Sequence, residues 1–176
     1  MKVFLIRHTS VDVPSGTCYG QTDVPLRDTF EEEASVCKSR IEGIKFDKVY
    51  TSPLSRCTRL AAYCGYEDAE RDSRLKEISF GDWEMQKFDE ISDPHIQEWY
   101  RDYLHIPATR GESFMELYRR VASFLDGLRR EDYEKVLVFA HGGVLVCAQV
   151  YAGMVDISRA FDALSPYGGM IEIEMK

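Results

Sequence analysis

The sequence predicts an α/β fold with a mostly parallel central sheet. Three short runs rich in apolar residues, 3–6, 46–50 and 135–140, have the length of strands. No polar residue alternates with the apolar ones in the first run, which indicates a strand that is buried on both faces. Segments with helical periodicity separate the three runs. Strands that alternate with helices favour a parallel sheet with right-handed crossovers.

Capping signals mark the starts of three helices. Thr29 and Glu32 predict a capping box before the first helix, and a second capping box begins at Ser113, before the most periodic helix of the chain. Ser52 stands directly before Pro53, which predicts an N-cap followed by the first helical position. The sequence therefore predicts a helix soon after each of these caps.

The remaining elements are shorter. A helix is expected over 144–152, a short strand within 68–74, and an edge strand over 170–175, where apolar and acidic residues alternate. Residues 87–110 are expected to form a helical cap over the end of the sheet. Because the sequence shows neither a linker nor a repeat, residues 1–176 are predicted to be a single domain.

Composition argues against several classes of partner. The net charge of −8 disfavours nucleic acid or an anionic membrane, and no apolar run is long enough to span a bilayer. The five cysteines are scattered and odd in number, which is typical of reduced thiols in the cytoplasm. We therefore expect a cytoplasmic protein that acts on a small molecule, with monomer and dimer both left open.

Basic side chains stand at the predicted carboxyl ends of the three strands. Arg7 and His8 end the first strand, the second leads through Ser52 to Arg56, and the third ends at His141. These ends share one edge of a parallel sheet, where ligands of open α/β folds bind. Arginine side chains and helix N-termini both bind phosphate oxygens. The sequence therefore predicts a site for a phosphate dianion with an imidazole in its middle.

Such a site can transfer a phosphoryl group. A neutral imidazole can attack phosphorus, and fixed cations can stabilise the charge of the transition state. Glu77 is the best candidate to protonate the leaving oxygen, because apolar neighbours would keep its carboxyl protonated. Two alternatives are less favoured. The Arg–His pair alone could be a solvated sheet edge, and a metal site of His8, His141 and Glu77 would place a cation beside two arginines.

Five short motifs follow one another along the chain: Leu5-Ile6-Arg7-His8, Ser52-Pro53-Leu54-x-Arg56, Leu75-x-Glu77-x-x-Phe80-Gly81-x-Trp83-Glu84, Gly111-Glu112-Ser113 and His141-Gly142-Gly143. Their order resembles that of the histidine phosphatase superfamily, which is also called phosphoglycerate mutase-like. This resemblance implies a three-layer α/β sandwich and phosphoryl transfer without a metal or other cofactor. It implies that His8 is the phosphohistidine nucleophile and Glu77 the proton donor. Arg7, Arg56 and His141 would form the phosphate pocket.

Within this superfamily, the short chain and the loop over residues 18–26 look most like the α-ribazole phosphatases. These enzymes remove a 5′-phosphate in assembly of the lower loop of cobalamin. Gly142 is a candidate substrate-binding residue, and so are Tyr19 and Gln21. Tyr19, Gln21 and Glu112 either shape the substrate pocket or tie down their loops. The expected partner is a small phosphorylated metabolite.

Three other functions remain open from the sequence. Two are enzymatic, namely a broad-specificity sugar-phosphate phosphatase and a phosphoglycerate mutase. Mutases of the superfamily are longer and usually carry Gly and Glu after the motif histidine, where this chain has Thr9 and Ser10. The third is a non-catalytic module that binds a phospholigand on the same fold.

Overall fold

The computed structural model describes residues 1–176, and its five strands form one sheet. The strands are β1 Lys2–Arg7, β2 Lys48–Thr51, β3 Glu70–Arg71, β4 Lys135–Ala140 and β5 Met170–Glu174. Their order across the sheet is β3-β2-β4-β1-β5. The first four are parallel, and β5 pairs antiparallel with β1 at one edge. The mostly parallel sheet predicted from the sequence is therefore confirmed.

Helices connect these strands. The α-helices are α1 Phe30–Ile41, α2 Ser55–Tyr63, α3 Ile96–Arg101, α4 Phe114–Leu128 and α5 Gly142–Tyr151. Shorter 3₁₀ helices cover Ser73–Leu75, Gly81–Trp83, Phe88–Glu90 and Ile157–Ala163. No helix combines the length and the apolar character that crossing a membrane requires.

Alternate residues of β1 face opposite helix layers. Val3 and Leu5 pack in one core with α4 and α5, whereas Phe4 and Ile6 pack in a second core with α1 and α2. All four side chains are buried. Because helices cover both faces of the sheet, its central strands have no polar face. The fold is therefore the expected three-layer sandwich.

One predicted capping box is present and the other is wrong. The Ser113 hydroxyl accepts from the Glu116 N–H at 3.2 Å, and the Glu116 carboxylate accepts from the Ser113 N–H at 2.7 Å. Thr29 makes no such bond with the backbone, and the box predicted with Glu32 does not form. The Thr29 hydroxyl instead donates to the Glu33 carboxylate at 2.8 Å, since a charged acceptor forms the stronger hydrogen bond.

The predicted start of α2 is also wrong. Ser52 was expected to be the N-cap and Pro53 the first helical residue, but the helix begins at Ser55 after an extended Leu54. The Ser52 hydroxyl lies 2.8 Å from Nε2 of His141. The same hydroxyl accepts from the Leu54 N–H at 3.3 Å, so Ser52 both supports the turn before α2 and contacts a distant histidine.

The strand register brings the expected strand ends together. β1 and β4 stay paired up to Arg7 and Ala140, and β2 and β4 stay paired up to Thr51 and Phe139. The residues that directly follow these strands therefore meet at one edge of the sheet: His8, Ser52 and His141.

The segment predicted as a cap contains two short helices, Phe88–Glu90 and α3. It contributes to a third, smaller cluster of buried residues: Cys18, Trp83, Ile91, Ile96 and Ala108.

All five cysteines of the chain are free and buried.

Candidate active site

His8 follows β1 and is almost fully buried, with 2% of its surface exposed. Its Nδ1 lies 2.7 Å from the carbonyl oxygen of Thr9. Because a carbonyl oxygen only accepts, Nδ1 carries the proton and Nε2 keeps its lone pair. Burial, followed by the positive charges of Arg56 and Arg7, lowers the pKa of His8 to about 3. The ring is therefore neutral at physiological pH, as a nucleophile must be.

The segment that precedes β5 holds Arg7. Its Nη1 donates to the Ser165 carbonyl at 2.6 Å, and its Cζ lies 4.1 Å from the centre of the Tyr167 ring. Gly142 leaves space for this guanidinium. A Cβ at Gly142 would lie 3.2 Å from Arg7 Cζ and 2.7 Å from a methyl carbon of Leu164. The glycine therefore allows the guanidinium to pack against the start of α5.

Arg56 lies in α2 and has no exposed surface. The loop that precedes α1 covers it. Its Nη1 donates to the Thr22 carbonyl at 2.8 Å, its Nη2 donates to the Gly20 carbonyl, and its Cζ lies 5.5 Å from the centre of the Tyr19 ring. These partners are neutral. The positive charge of Arg56 therefore stays uncompensated and acts on His8.

His141 directly precedes α5 and is fully buried. The centre of its ring lies 5.2 Å from that of His8. Its Nε2 lies 2.8 Å from the Ser52 hydroxyl and 3.5 Å from the Cys57 sulfur. Burial and the charge of Arg56 hold the pKa of His141 well below its usual value. The two histidines are therefore both neutral and lie side by side.

Glu77 faces the start of α5. Its Oε2 accepts from the Gly143 N–H at 3.0 Å, and its Oε1 accepts from the Ile78 N–H at 2.9 Å. A Cβ at Gly143 would lie 2.3 Å from Oε1 of Glu77, so this approach requires a glycine. The carboxyl group lines the same pocket as Arg7 and His8.

This pocket has a volume of about 330 Å³. Its lining includes the charged or polar side chains and the two helix-start glycines: Arg7, His8, Tyr19, Glu77, Gly142 and Gly143. Its other walls are mostly aromatic or aliphatic: Ile78, Phe80, Phe88, Trp99, Tyr103, Phe114, Leu117, Phe161, Leu164 and Tyr167. Arg7 is the only arginine or lysine in the lining. The pocket therefore combines a single cationic side chain with a mostly apolar lining.

Four of the residues singled out from the sequence do not line this pocket: Arg56, His141, Gln21 and Glu112. Arg56 and His141 still act on His8. The charge of Arg56 lowers the pKa of His8, and the ring of His141 lies next to the His8 ring. The neighbours of Gln21, Gly20 and Thr22, bind Arg56 through their carbonyl groups, and the substrate-binding role of Gln21 stays a prediction. Glu112 forms an ion pair with Arg120 and lies outside the lining, so it ties down its loop.

Sequence reasoning missed the segment between α5 and β5. Phe161, Leu164 and Tyr167 line the pocket, and the Ser165 carbonyl binds Arg7. The available signal was a few scattered apolar side chains in a segment without a motif: Phe161, Leu164 and Tyr167. No group of three or more His, Cys, Asp or Glu side chains has the arrangement of a metal site.

Comparison with known proteins gives a consistent result. Residues 3–176 match the histidine phosphatase superfamily (branch 1). The adenosylcobalamin/alpha-ribazole phosphatase of Escherichia coli K12 is 30% identical over 153 residues, which are 82% of this chain and 75% of that protein. A Yersinia enterocolitica protein named "Probable phosphoglycerate mutase GpmB" is 30% identical over 159 residues, 84% of this chain and 72% of that protein.

A solved structure agrees in fold. The alpha-ribazole phosphatase from Shigella flexneri superposes with a TM-score of 0.87 at 25% identity, over 100% of this chain and 91% of that chain. The family match spans nearly the whole chain, and the fold agrees with it. The chain therefore belongs to the histidine phosphatase superfamily.

Proposed function

We propose that this enzyme hydrolyses a phosphomonoester through a phosphohistidine on His8. The single observation that carries the proposal is the 2.7 Å hydrogen bond from Nδ1 of His8 to the Thr9 carbonyl, which leaves Nε2 free to attack. Glu77 lines the same pocket and is the only carboxylic acid in that lining. We assign it the role of proton donor.

The proposed reaction has two steps. In the first, Nε2 of His8 bonds to phosphorus while the bond from phosphorus to the leaving oxygen breaks, and Glu77 gives that oxygen a proton. In the second, a water oxygen bonds to phosphorus while the bond from phosphorus to Nε2 of His8 breaks, and Glu77 takes a proton from that water. Inorganic phosphate then leaves, and both side chains return to their starting states.

Positive charge around His8 supports the assignment of a phosphate site. The field of Arg56 and Arg7 that disfavours a proton on His8 also attracts a phosphate dianion. In the proposed arrangement Arg7 contacts the phosphate, and Arg56 and His141 stabilise its charge from beneath. The start of α5 at Gly142 adds the partial positive charge of a helix N-terminus.

The lining of the pocket favours a particular leaving group. Phosphoserine and phosphoglycerate carry a carboxylate beside the phosphate, and a buried carboxylate needs a cation or several hydrogen-bond donors. Arg7 is the only arginine or lysine there, and the phosphate would occupy it. The aromatic walls around Trp99 instead suit a flat, uncharged group. We therefore propose α-ribazole 5′-phosphate, a benzimidazole on ribose, as the substrate. Residues 87–110 would form the cap over it.

Substitution of His8 tests the chemistry. We expect His8→Ala to abolish turnover and to prevent the burst of phosphohistidine that rapid-quench mass spectrometry should detect in the unsubstituted enzyme. Exposed His105 provides the control, because His105→Ala should leave both measurements unchanged. Binding of phosphate esters without any phosphohistidine would identify a non-catalytic binding module instead.

A matched pair of substrates tests the leaving group. α-Ribazole 5′-phosphate and ribose 5-phosphate share the phosphorylated sugar carbon and differ by the aromatic base. We expect kcat/KM to be at least about ten-fold higher for the former, since burial of an aromatic group contributes about 1.5–3 kcal/mol. Trp99→Ala should remove most of this preference, whereas exposed Tyr100→Ala should not. Preference for phosphoserine or 3-phosphoglycerate would refute the substrate assignment.

A further inference from the structure

The backbone that leads into and includes Glu77 is held by one distant side chain, that of Arg120 in α4. Residues 76–80 form neither helix nor strand, so their carbonyl groups have no partners in regular structure. Arg120 donates to the carbonyl oxygens of Arg74 at 2.8 Å, Lys76 at 2.5 Å and Glu77 at 2.8 Å. The segment that carries Glu77 therefore takes its path from these hydrogen bonds.

The remaining donors of Arg120 bind Glu112. Nε donates to Oε1 at 2.8 Å, and Nη2 donates to Oε2 at 2.9 Å. A guanidinium has five N–H groups, and here each of the five has an acceptor. Arg120 also lies outside the pocket lining. It therefore has no donor left for a substrate and cannot be a binding residue.

Glu112 holds the backbone that follows Glu77, at Ser79. Its Oε2 accepts from the Ser79 N–H at 2.8 Å, and its own N–H donates to the Ser79 carbonyl at 2.8 Å. Burial by itself would raise the pKa of Glu112, but the hydrogen bonds from Arg120 and Ser79 lower it. Glu112 is therefore charged at neutral pH. Arg120 and Glu112 together form hydrogen bonds with the backbone before and after Glu77.

We propose that Arg120 is a positioning residue that sets where the Glu77 carboxyl meets the leaving oxygen. This inference rests on the proposed role of Glu77 as proton donor. Arg120 holds the backbone of Glu77, and the carboxyl itself has one anchor outside its own segment, the Gly143 N–H. With its backbone released, Glu77 would move relative to the bound ester, and displacements of about 1 Å can cost about 100-fold in rate.

Dependence on the leaving group separates positioning of Glu77 from a general structural role. Expulsion of p-nitrophenolate needs no proton, whereas expulsion of an alkoxide such as the sugar oxygen of α-ribazole 5′-phosphate does. The quantity to compare is kcat/KM, which ends at the first phosphoryl transfer. We expect Glu77→Gln to reduce it about 100-fold for the alkyl ester and less than about ten-fold for p-nitrophenyl phosphate.

Arg120→Met should repeat this pattern on a smaller scale, with a loss of about ten- to thirty-fold for the alkyl ester and about two-fold for p-nitrophenyl phosphate. When it is combined with Glu77→Gln, Arg120→Met should not lower kcat/KM for the alkyl ester any further relative to p-nitrophenyl phosphate. The carboxyl that Arg120 positions is already absent in that variant. Arg120→Lys should not restore activity, since three donors cannot serve five acceptors.

Arg74→Met is the matched control. Arg74 lies three residues before Glu77 and its side chain also bonds to α4, through the Ser123 carbonyl at 3.1 Å, but it does not hold Glu77. We expect its effect to be equal for both substrates. If Arg120→Met does not fold, as judged by thermal unfolding, Glu112→Gln replaces it, with a several-fold alkyl-specific loss expected.

The outcomes distinguish the two proposals. A leaving-group effect in Glu77→Gln with an equal loss for both substrates in the Arg120 and Glu112 variants overturns the positioning role alone. No leaving-group effect in Glu77→Gln overturns the proton-donor assignment and this inference with it. An alkyl-specific loss that is absent in Arg74→Met supports both.

Discussion

The guanidinium carbon of Arg7 lies 4.1 Å from the centre of the Tyr167 ring. The same ring lies 5.7 Å from that of His8, and its hydroxyl lies 2.9 Å from the hydroxyl of Tyr19. Tyr19 in turn faces Arg56 at 5.5 Å. The two tyrosines thus form a bridge from one arginine to the other across the buried histidine.

Loss of the Tyr167 ring should weaken the site by freeing Arg7. A stacked guanidinium contributes about 0.5–2 kcal/mol, so we expect Tyr167→Ala to lower kcat/KM by about two- to thirty-fold. Tyr167→Phe keeps the stack and loses only the bond to Tyr19, and it should stay within about three-fold of the unsubstituted enzyme. Steady-state kinetics with p-nitrophenyl phosphate measure both. An increase in activity for Tyr167→Ala would show that the ring obstructs the site instead.

Alanine substitutions of the two glycines at the start of α5, Gly142 and Gly143, should have different effects on activity. Gly142→Ala would push on Arg7, so we expect losses of similar size for alkyl and aryl phosphates. Gly143→Ala would displace the Glu77 carboxyl, so we expect its loss to fall mainly on alkyl esters. Both sites are helical, where alanine is favoured over glycine by about 0.5–1 kcal/mol, and the free energy of unfolding should not fall much in either variant. Identical substrate profiles would contradict the assignment.

Acid should destabilise the fold through its buried histidines. Burial, Arg56 and Arg7 lower the pKa of folded His8 to about 3, whereas the unfolded side chain titrates near pH 6.5. Between these values the unfolded state binds more protons, so stability is full above about pH 6.5 and falls as the pH drops toward about 3. His141 contributes with the same sign.

For His8 alone, the loss of unfolding free energy between pH 7 and pH 5 is about 2 kcal/mol. Urea denaturation at the two pH values measures it. His8→Asn removes this titration, so its stability should fall by about 2 kcal/mol less over the same interval than that of the unsubstituted protein. An equal fall in both proteins would show that His8 is already protonated at pH 5 in the folded state.

Local pattern predicted the framework well because strands and helices follow from short-range periodicity. The uninterrupted apolar run of β1 reflects a sheet covered on both faces, and Ser113 caps α4 as expected. Parallel topology then brings the ends of β1, β2 and β4 to one edge. Placement of His8, Ser52 and His141 near one another follows from these facts without any knowledge of side-chain contacts.

Local sequence pattern did not predict the hydrogen-bond partner correctly where a side chain can bond to either of two groups. Thr29 and Ser52 both stand where a helix cap is expected, and both hydroxyls bind other side chains, Glu33 and His141. The loop before α1 poses the same difficulty, since only its tertiary path decides that Tyr19 lines the pocket whereas the carbonyl groups of Gly20 and Thr22 bind Arg56. A hydroxyl or guanidinium takes whichever acceptor the fold brings within reach.

The sequence by itself determined the family, the α/β sandwich and the residues gathered at the sheet edge. The order of the motifs and the periodicity of the elements can both be read along the chain without any tertiary contact. Tertiary structure alone decided that Tyr167 stacks on Arg7, that Ser52 binds His141 and that Arg120 holds the segment of Glu77. Each of these contacts joins segments more than 40 residues apart. Their geometry depends on packing between layers, which no short stretch of sequence encodes.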